Sequence, residues 1–192
     1  MRITKADVIQ TAADIADKNG LSNVSLKVVA ENLNIRTPSL YNHIDSLESL
    51  LREIAHNGMK TMNERMMQAA IGKIGDDAIK SIGITYLNYM IEHPGIYETI
   101  QWATWHGTEE TGKIFDNYLS LLKTLALSCN FNPVNIDEIL NLLTGVLHGY
   151  TTLQLRYAFT KPDEVRTALS AALDTVLAGL HQKYDQHEKE HL

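Results

Sequence analysis

The 192-residue sequence predicts an all-α fold of about nine helices, with no strand. Apolar residues recur at intervals of three to four positions in successive segments, which is the spacing of an amphipathic helix. Gly, Pro and Asn separate these segments, and the chain contains only 4 Pro. With 44% hydrophobic residues, the sequence can form a substantial core in one or two domains.

The first helix is predicted over residues 4–19. Thr4 is its expected N-cap, because Asp7 stands three residues later as in a capping box. Gly20 follows the last helical residue, where glycine commonly ends a helix. The inward face is expected to hold Val8, Ile9, Ala12, Ile15 and Ala16.

Residues 26–44 indicate two short helices joined by a tight turn. Ser25 is the expected N-cap of the first, and Asn34 suits the turn because Asn tolerates a left-handed backbone. Thr37 is predicted to cap the second helix, with Pro38 at its first position. Leu40 and Ile44, four residues apart, are expected to point inward.

The outward face of this second helix is short, polar and aromatic, and it carries no carboxylate. It comprises Ser39, Tyr41, Asn42 and His43. Such a helix fits the major groove of DNA, where base edges and phosphates present hydrogen-bonding groups. The alternative is an ordinary helical hairpin with Tyr41 and His43 half-buried.

This pattern resembles the DNA-binding domain of the TetR family of bacterial transcriptional regulators over about 50 residues. The flanking residues that carry the resemblance are Ile9, Ala12, Ala13, Ile15, Ala16 and Gly20 before it and residues 45–51 after it. The resemblance implies a DNA-binding set of Ser25, Lys27, Arg36, Thr37, Pro38, Ser39, Tyr41, Asn42 and His43. Leu47 stands where the family commonly has a phosphate-binding Lys, so the resemblance does not imply that phosphate contact for this chain.

The remaining helices are predicted over residues 47–70, 77–92, 96–105, 109–128, 136–159 and 162–184. Residues 72–77 form the clearest break in the pattern. The expected domains are therefore a helix-turn-helix domain at 1–46, a linking helix at 47–72, and an effector-binding and dimerisation domain at 73–192.

The last two helices are apolar on more than one face, which favours cover by a second copy of the chain. Gly145, Gly149 and Gly179 would permit close approach of another helix, either in a partner or within one subunit. The family resemblance implies a two-fold, four-helix interface that sets two recognition helices about one DNA turn apart. The predicted interface is Leu142, Gly145, Gly149, Leu169, Leu173, Val176 and Leu180.

Large aromatic side chains concentrate within residues 86–118, although aromatics make up 7% of the chain. They are typical of a mostly apolar small-molecule site with a few polar groups, or of plain core packing. Residues 93–95 (His-Pro-Gly), 105–107 (Trp-His-Gly) and 148–149 (His-Gly) resemble the TetR subgroup named for its Trp-His-Gly triplet, which implies an effector domain. The predicted effector set is Tyr86, Tyr89, Met90, Trp102, Trp105, His106, Tyr118, Leu122 and His148.

The formal net charge is −6, which is unusual for a DNA-binding protein. Residues 1–60 carry equal numbers of basic and acidic side chains, so the excess acid lies in the remainder. Non-specific DNA affinity should therefore be moderate, and specific binding would need two DNA-binding domains acting together. The absence of a long apolar run or signal pattern predicts a cytoplasmic protein without a membrane partner. Cys129 is expected to be a structural thiol.

The sequence predicts no enzyme and no cofactor. Glu53 and His56, and likewise Glu188 and His191, have the Glu-x-x-His spacing of di-iron bundles, but their convergence would be a coincidence. His181, His187 and His191 could bind Zn²⁺ or Ni²⁺, although a solvent-exposed C-terminal end without metal is favoured. The predicted function is a ligand-responsive homodimeric repressor that binds a palindromic operator. A helical adaptor without DNA binding, or a metal-dependent enzyme, are the alternatives.

Overall fold

The computed structural model describes residues 3–185. This part of the chain contains nine α-helices, three short 3-10 turns and no strand beyond an isolated bridge between Phe131 and Asp185. The all-α prediction is confirmed. The helices are α1 (Lys5–Asn19), α2 (Leu26–Asn32), α3 (Thr37–Leu40), α4 (Leu47–Ala70), α5 (Gly75–Glu92), α6 (Pro94–His106), α7 (Glu109–Leu127), α8 (Ile136–Leu155) and α9 (Val165–Tyr184).

The helices group into two compact units. The first comprises Met1–Thr61 and Glu92–Phe115, and the second comprises Met62–Ile91 and Asp116–Leu192. Helices α4 and α7 each contribute residues to both units. These packing units differ from the functional division predicted at residues 46 and 72, because α6 belongs with the N-terminal helices. The functional boundaries stay a prediction.

In the first unit, α1 begins after the predicted N-cap residue and ends just before the predicted glycine. The Asp7 N–H donates to Thr4 Oγ1, and the Thr4 N–H donates to Asp7 Oδ2, which completes the predicted capping box. Gly20 follows the helix at φ +85°, where its N–H donates to the Ala16 carbonyl. The apolar face of α1 forms the core of this unit with α2, α3 and the start of α4.

Helix α6 packs directly against α1, and a glycine makes this possible. A Cβ atom on Gly95 would lie 2.1 Å from the Ala16 carbonyl carbon, far inside any normal contact distance. The start of α6 is therefore fixed against the backbone of α1. Ile96 and Trp102, further along α6, pack against the same core.

The second unit is built around the contact of α5 with α8 and α9. A Cβ atom on Gly83 would meet the side chains of Leu147 and Leu173 at about 3 Å, so the three helices approach closely there. His181 near the end of α9 bonds to Asp76 at the start of α5 and to Asp185. These bonds hold the two helix ends together.

Several predicted helix boundaries are wrong. Arg36 occupies the N-cap of α3 without a side-chain cap bond, so Thr37 is a helical residue and not the cap. The predicted continuation of α3 to Ile44 is a turn, although the Ile44 N–H still donates to the Leu40 carbonyl. Helix α8 ends at Leu155 and not at 159, because the chain turns through Tyr157 at φ +53°.

Smaller shifts occur elsewhere. Helix α9 begins at Val165, because the predicted first turn, Pro162–Glu164, is a 3-10 turn. Helices α5 and α6 begin two residues earlier than predicted, at Gly75 and Pro94, and α7 ends one residue earlier, at Leu127. Helix ends commonly vary by one or two residues, since the terminal turns are held by few hydrogen bonds.

Candidate functional site

The segment from Ser25 to Ile44 forms the predicted pair of short helices. Ser25 Oγ accepts a hydrogen bond from the Val28 N–H at 3.3 Å, which caps α2. Asn34 adopts φ +54°, the left-handed conformation that ends α2 and redirects the chain into α3. Leu40 and Ile44 are buried, as predicted, and anchor the second helix on the core of the first unit.

The side chains predicted to contact DNA lie on the surface of the first unit. Tyr41 is 57% exposed, and the Lys27 side chain is 80% exposed. Arg36, Pro38 and Asn42 are also exposed. The half-buried members of the set are Ser25, Thr37, Ser39 and His43.

The charge on this surface is modest. Lys27 lies 3.9 Å from Glu31 across one turn of α2, and both side chains are well exposed. Such a surface pair is weak, so it does not fix the Lys27 ammonium in one position. Leu47 is half-buried at the start of α4.

Sequence reasoning missed how α4 begins beside this segment. The Ser46 N–H donates to Ser49 Oγ at 2.9 Å, and the Ser49 N–H donates to Ser46 Oγ at 3.0 Å. This reciprocal pair satisfies N–H groups at the start of the helix as a capping box does. The Ser-x-x-Ser spacing was the available signal.

Five of the predicted effector residues are buried in the second unit. They are Tyr86, Tyr89, Met90, Tyr118 and Leu122. The Tyr86 hydroxyl lies 3.2 Å from Nδ1 of the half-buried His148, and the two rings meet edge to face with centroids 5.6 Å apart. Burial lowers the pKa of His148 from its ordinary value, so the imidazole is neutral at pH 7.

Two hydroxyl groups in this interior lack a hydrogen bond of normal geometry. They are the Tyr118 hydroxyl and Thr151 Oγ1, both fully shielded from solvent. Burial raises the pKa of Tyr118 to about 12, and the nearby Thr144 side chain acts in the opposite direction. Thr144 and Thr151 were not predicted; their spacing around His148 on α8 was the signal for a polar row.

The other three predicted effector residues belong to the first unit. Trp102 is half-buried and packs against the core of that unit, with the His106 ring stacked on it at 4.5 Å. His106 Nδ1 also lies 2.9 Å from the Trp102 carbonyl oxygen. Trp105 is 87% exposed.

The predicted dimer residues divide into buried and open positions. Leu169, Leu173 and Leu180 are buried inside this chain, and their place in a subunit interface stays a prediction. Leu142, Gly145 and Gly149 are exposed on α8, and Val176 is half-buried. A groove of about 430 Å³ is lined by Glu138, Leu142, Thr175, Val176, Gly179, Leu180, Lys183 and Tyr184.

The glycines of α8 and α9 do not serve close packing within the chain. A Cβ atom placed on Gly145, Gly149 or Gly179 would meet nothing within 4 Å. Crossing of helices within one subunit, the alternative reason for these glycines, therefore has no support in the described contacts. They leave a shallow open surface on both helices.

Within residues 3–185, the structure gives no support to the alternative of a metal-dependent enzyme. No group of three His, Cys, Asp or Glu side chains there could hold a metal ion. His56 is buried, and its Nε2 lies 2.8 Å from Thr111 Oγ1. Glu188, His187 and His191 lie outside the described residues. In the same part of the chain, none of the helices combines the length and apolarity needed to cross a membrane.

Cys129 is buried, as expected of a structural thiol. Burial, together with the charge of Asp76, raises the pKa of Cys129 to about 12. The sulfur is therefore protonated at pH 7 and a poor nucleophile.

Comparisons with known proteins agree with this geometry. Residues 79–176 match the family described as "Tetracyclin repressor-like, C-terminal domain". An uncharacterized HTH-type transcriptional regulator, YobS of Bacillus subtilis, is 30% identical over 93% of both chains. A second such regulator, Rv0681 of Mycobacterium tuberculosis, is 28% identical over 50% of this chain and 44% of its own length.

Solved structures show the same fold. A protein of unknown function from Rhodococcus sp. RHA1 superposes with a TM-score of 0.82 at 15% identity, covering 94% of this chain and 96% of its own. A TetR variant from Acinetobacter baumannii AYE, solved in complex with minocycline, gives 0.72 at 18% identity over 96% and 100%. With the exposed helix-turn-helix segment and the family match over half of its length, this chain belongs to the tetracycline repressor-like, or TetR, family of DNA-binding transcriptional regulators.

Proposed function

We propose that this protein is a ligand-responsive homodimeric repressor that binds a palindromic operator. The observation that carries the proposal is the polar surface of α3 and its following turn, with Tyr41 and Asn42 exposed above the buried Leu40 and Ile44. A helix anchored on its apolar side can present its polar side rigidly to a groove.

On this proposal the polar set divides into two roles. Asn42, Ser39 and Thr37 contact base edges, because amide and hydroxyl groups discriminate between bases in the major groove. Lys27, at the start of α2, also faces the bases, whereas Tyr41 and His43 hold phosphates and fix the orientation of the helix. Ser25, whose oxygen already caps α2, contributes by placing the start of α2, and Arg36 and Pro38 lie at the entry to α3.

The dimer is proposed to form through the open faces of α8 and α9. Leu142 is 46% exposed, and Gly145, Gly149 and Gly179 leave room for close approach of helices from a second copy. A two-fold axis there would place two recognition helices about 34 Å apart, one turn of DNA. Two DNA-binding domains are needed because residues 1–60 have no excess positive charge, so that one domain alone would bind DNA weakly.

The effector is proposed to bind in the interior of the second unit, beside Tyr86, Tyr118 and His148. The Trp-His-Gly subgroup remains a proposal of the same kind. Helix α4 supports a route for coupling, because it is one continuous helix whose first part belongs to the first unit and whose last part belongs to the second. A ligand that favours one arrangement of α4 would change operator affinity by its differential affinity for the two states, typically about 1 to 3 kcal/mol.

The test begins with selection of bound fragments from genomic DNA, followed by retardation assays on the enriched sequence. Asn42→Ala should weaken specific binding by about 1 to 3 kcal/mol while leaving non-specific binding nearly unchanged. Asn57→Ala, at an exposed position of α4 in the same unit, is the matched control. Failure to enrich any fragment would favour the helical adaptor instead.

A further inference from the structure

A row of polar side chains crosses the interior of the second unit on α8. Thr144, His148 and Thr151 are spaced by four and three residues, so they share one face of the helix. Thr151 is 0% exposed, and the other two are half-buried. Tyr86 on α5 places its hydroxyl beside His148. A polar row at a position that apolar side chains could fill requires a physical reason.

Two hydroxyls at this row, the Tyr118 hydroxyl and Thr151 Oγ1, make no hydrogen bond of normal geometry within residues 3–185, although the Thr144 side chain lies close enough to influence Tyr118. Buried polar groups almost always have a partner, because burial without one costs stability. A helical Thr can satisfy its hydroxyl on the carbonyl four residues earlier. Thr99 and Thr124 do so, but Thr151 does not.

The chemical character of this interior is uncharged. Among the described residues of the second unit, Thr151 is the polar side chain that is fully buried, and no Lys, Arg, Asp or Glu is. Burial lowers the pKa of His148 and raises the pKa of Tyr118 to about 12, so both are neutral at pH 7. A charged ligand would have to enter without a counter-ion, which is strongly unfavourable.

We infer that Tyr118, His148 and Thr151 bind an uncharged ligand that carries both a hydrogen-bond acceptor and a donor next to an aromatic or similarly flat apolar part. The two hydroxyls can each donate, and Thr151 Oγ1 can also accept. The rings of Tyr86 and Tyr118 supply apolar surface. This inference rests on the proposed function only in naming that ligand as the effector.

The experiment uses four probes of one size: benzamide, benzoate, benzylamine and toluene. Titrations of the full-length protein by calorimetry should give binding of benzamide with a dissociation constant of roughly 1 mM, since a fragment of this size binds weakly. The anion, the cation and the hydrocarbon should each bind at least about tenfold more weakly. Equal binding of benzoate, or binding of none of the probes, would overturn the inference.

Variants locate the site. Tyr118→Phe and Thr151→Val should each weaken benzamide binding by at least about threefold, because each removes one hydroxyl and keeps the shape. Tyr157→Phe and Thr124→Val are the matched controls, since Tyr157 is 86% exposed and the exposed Thr124 bonds to the Ser120 carbonyl. Unchanged benzamide affinity in both interior variants would refute the assignment.

A second measurement does not depend on any ligand. Thr151→Val should raise the melting temperature by about 2 °C, because it removes a buried hydroxyl without a partner. Thr99→Val, where the buried hydroxyl bonds to the Gly95 carbonyl at 2.6 Å, should lower it. A decrease in Thr151→Val would mean that the hydroxyl is satisfied within the protein or by bound water, and would overturn the inference. Operator retardation, measured separately, tests the regulator proposal, so either result can fail alone.

Discussion

The carboxylate of Asp17 caps the start of α6, because its Oδ1 accepts a hydrogen bond from the Gly95 N–H at 2.8 Å. The Ile96 N–H donates to the same oxygen at 3.1 Å, and Oδ2 lies 2.9 Å from Nδ1 of His93. A residue near the end of α1 thus satisfies the first amides of a helix more than seventy residues later in the chain. Within the first unit, α6 is therefore bonded to α1, whose apolar face shares a core with Leu40 of α3.

Removing this cap should loosen α6 from α1. We expect Asp17→Ala to lower the free energy of unfolding by about 1 to 2 kcal/mol, the usual effect of losing an N-cap. Asp17→Asn should cost less, since the amide oxygen can still accept from the Gly95 N–H. Urea unfolding measures both, with Asp14→Ala as the control because Asp14 is exposed and bonds to Gln10 on its own helix. Equal effects of substitutions at positions 14 and 17 would argue against the cap.

The contact between α6 and α1 also depends on the lack of a side chain at Gly95. Gly95→Ala would place a Cβ atom 2.1 Å from backbone of Ala16, so we expect a loss of about 3 kcal/mol or more. Gly112→Ala is the matched change in α7, where a Cβ atom meets nothing within 4 Å, and should instead stabilise by about 0.5 to 1 kcal/mol. Thermal unfolding distinguishes the two. A mild effect of Gly95→Ala would show that α6 can move away from α1 at little cost.

His181 should make the stability of the second unit depend on pH. Burial tends to lower the pKa of His181, but hydrogen bonds and charges from Asp76 and Asp185 outweigh it and raise the pKa above 6.5. The imidazolium therefore stabilises the fold fully below pH 6.5, and this contribution is lost as pH rises through the raised pKa.

His56 and His148 make the stability depend on pH in the opposite direction, since burial lowers the pKa of each. Their contribution to the free energy of unfolding is present above pH 6.5 and is lost as pH falls through their lowered pKa values. The test is therefore the difference between the unmodified protein and His181→Gln in urea unfolding across pH 5.5 to 9. We expect the stability advantage of His181 to be largest at the acidic end; an advantage that grows toward alkaline pH would contradict the assignment.

The open glycines of α8 should matter to the dimer and not to the fold. Gly149→Leu should leave the melting temperature of the monomer unchanged or higher, because Leu favours a helix and meets no neighbour in the chain. It should weaken self-association, measured by sedimentation velocity over a range of concentrations, because a bulky side chain prevents close helix approach. Gly112→Leu, also open, is the control. Retained dimers in Gly149→Leu would place the interface elsewhere.

Local sequence signals predicted the helix-turn-helix segment well. The Thr4–Asp7 capping box, the left-handed Asn34 and the buried Leu40 and Ile44 all occur where the pattern places them. Each depends on residues within four positions of one another, so the information is contained in a short window. The cap of α3 was the exception, because Thr37 and Arg36 are adjacent and either could precede Pro38.

What the sequence by itself determined was therefore the all-α class, the approximate helices and which side chains of the N-terminal segment point inward. Only the tertiary structure decided which helix covers each apolar face. It buried Leu173 within the chain and left Gly149 open, and it packed α6 with Trp102 on α1 while Tyr86 and His148 came together in the other unit. The physical reason is that helical periodicity identifies a face that must be buried but carries no information about the distant residue that buries it.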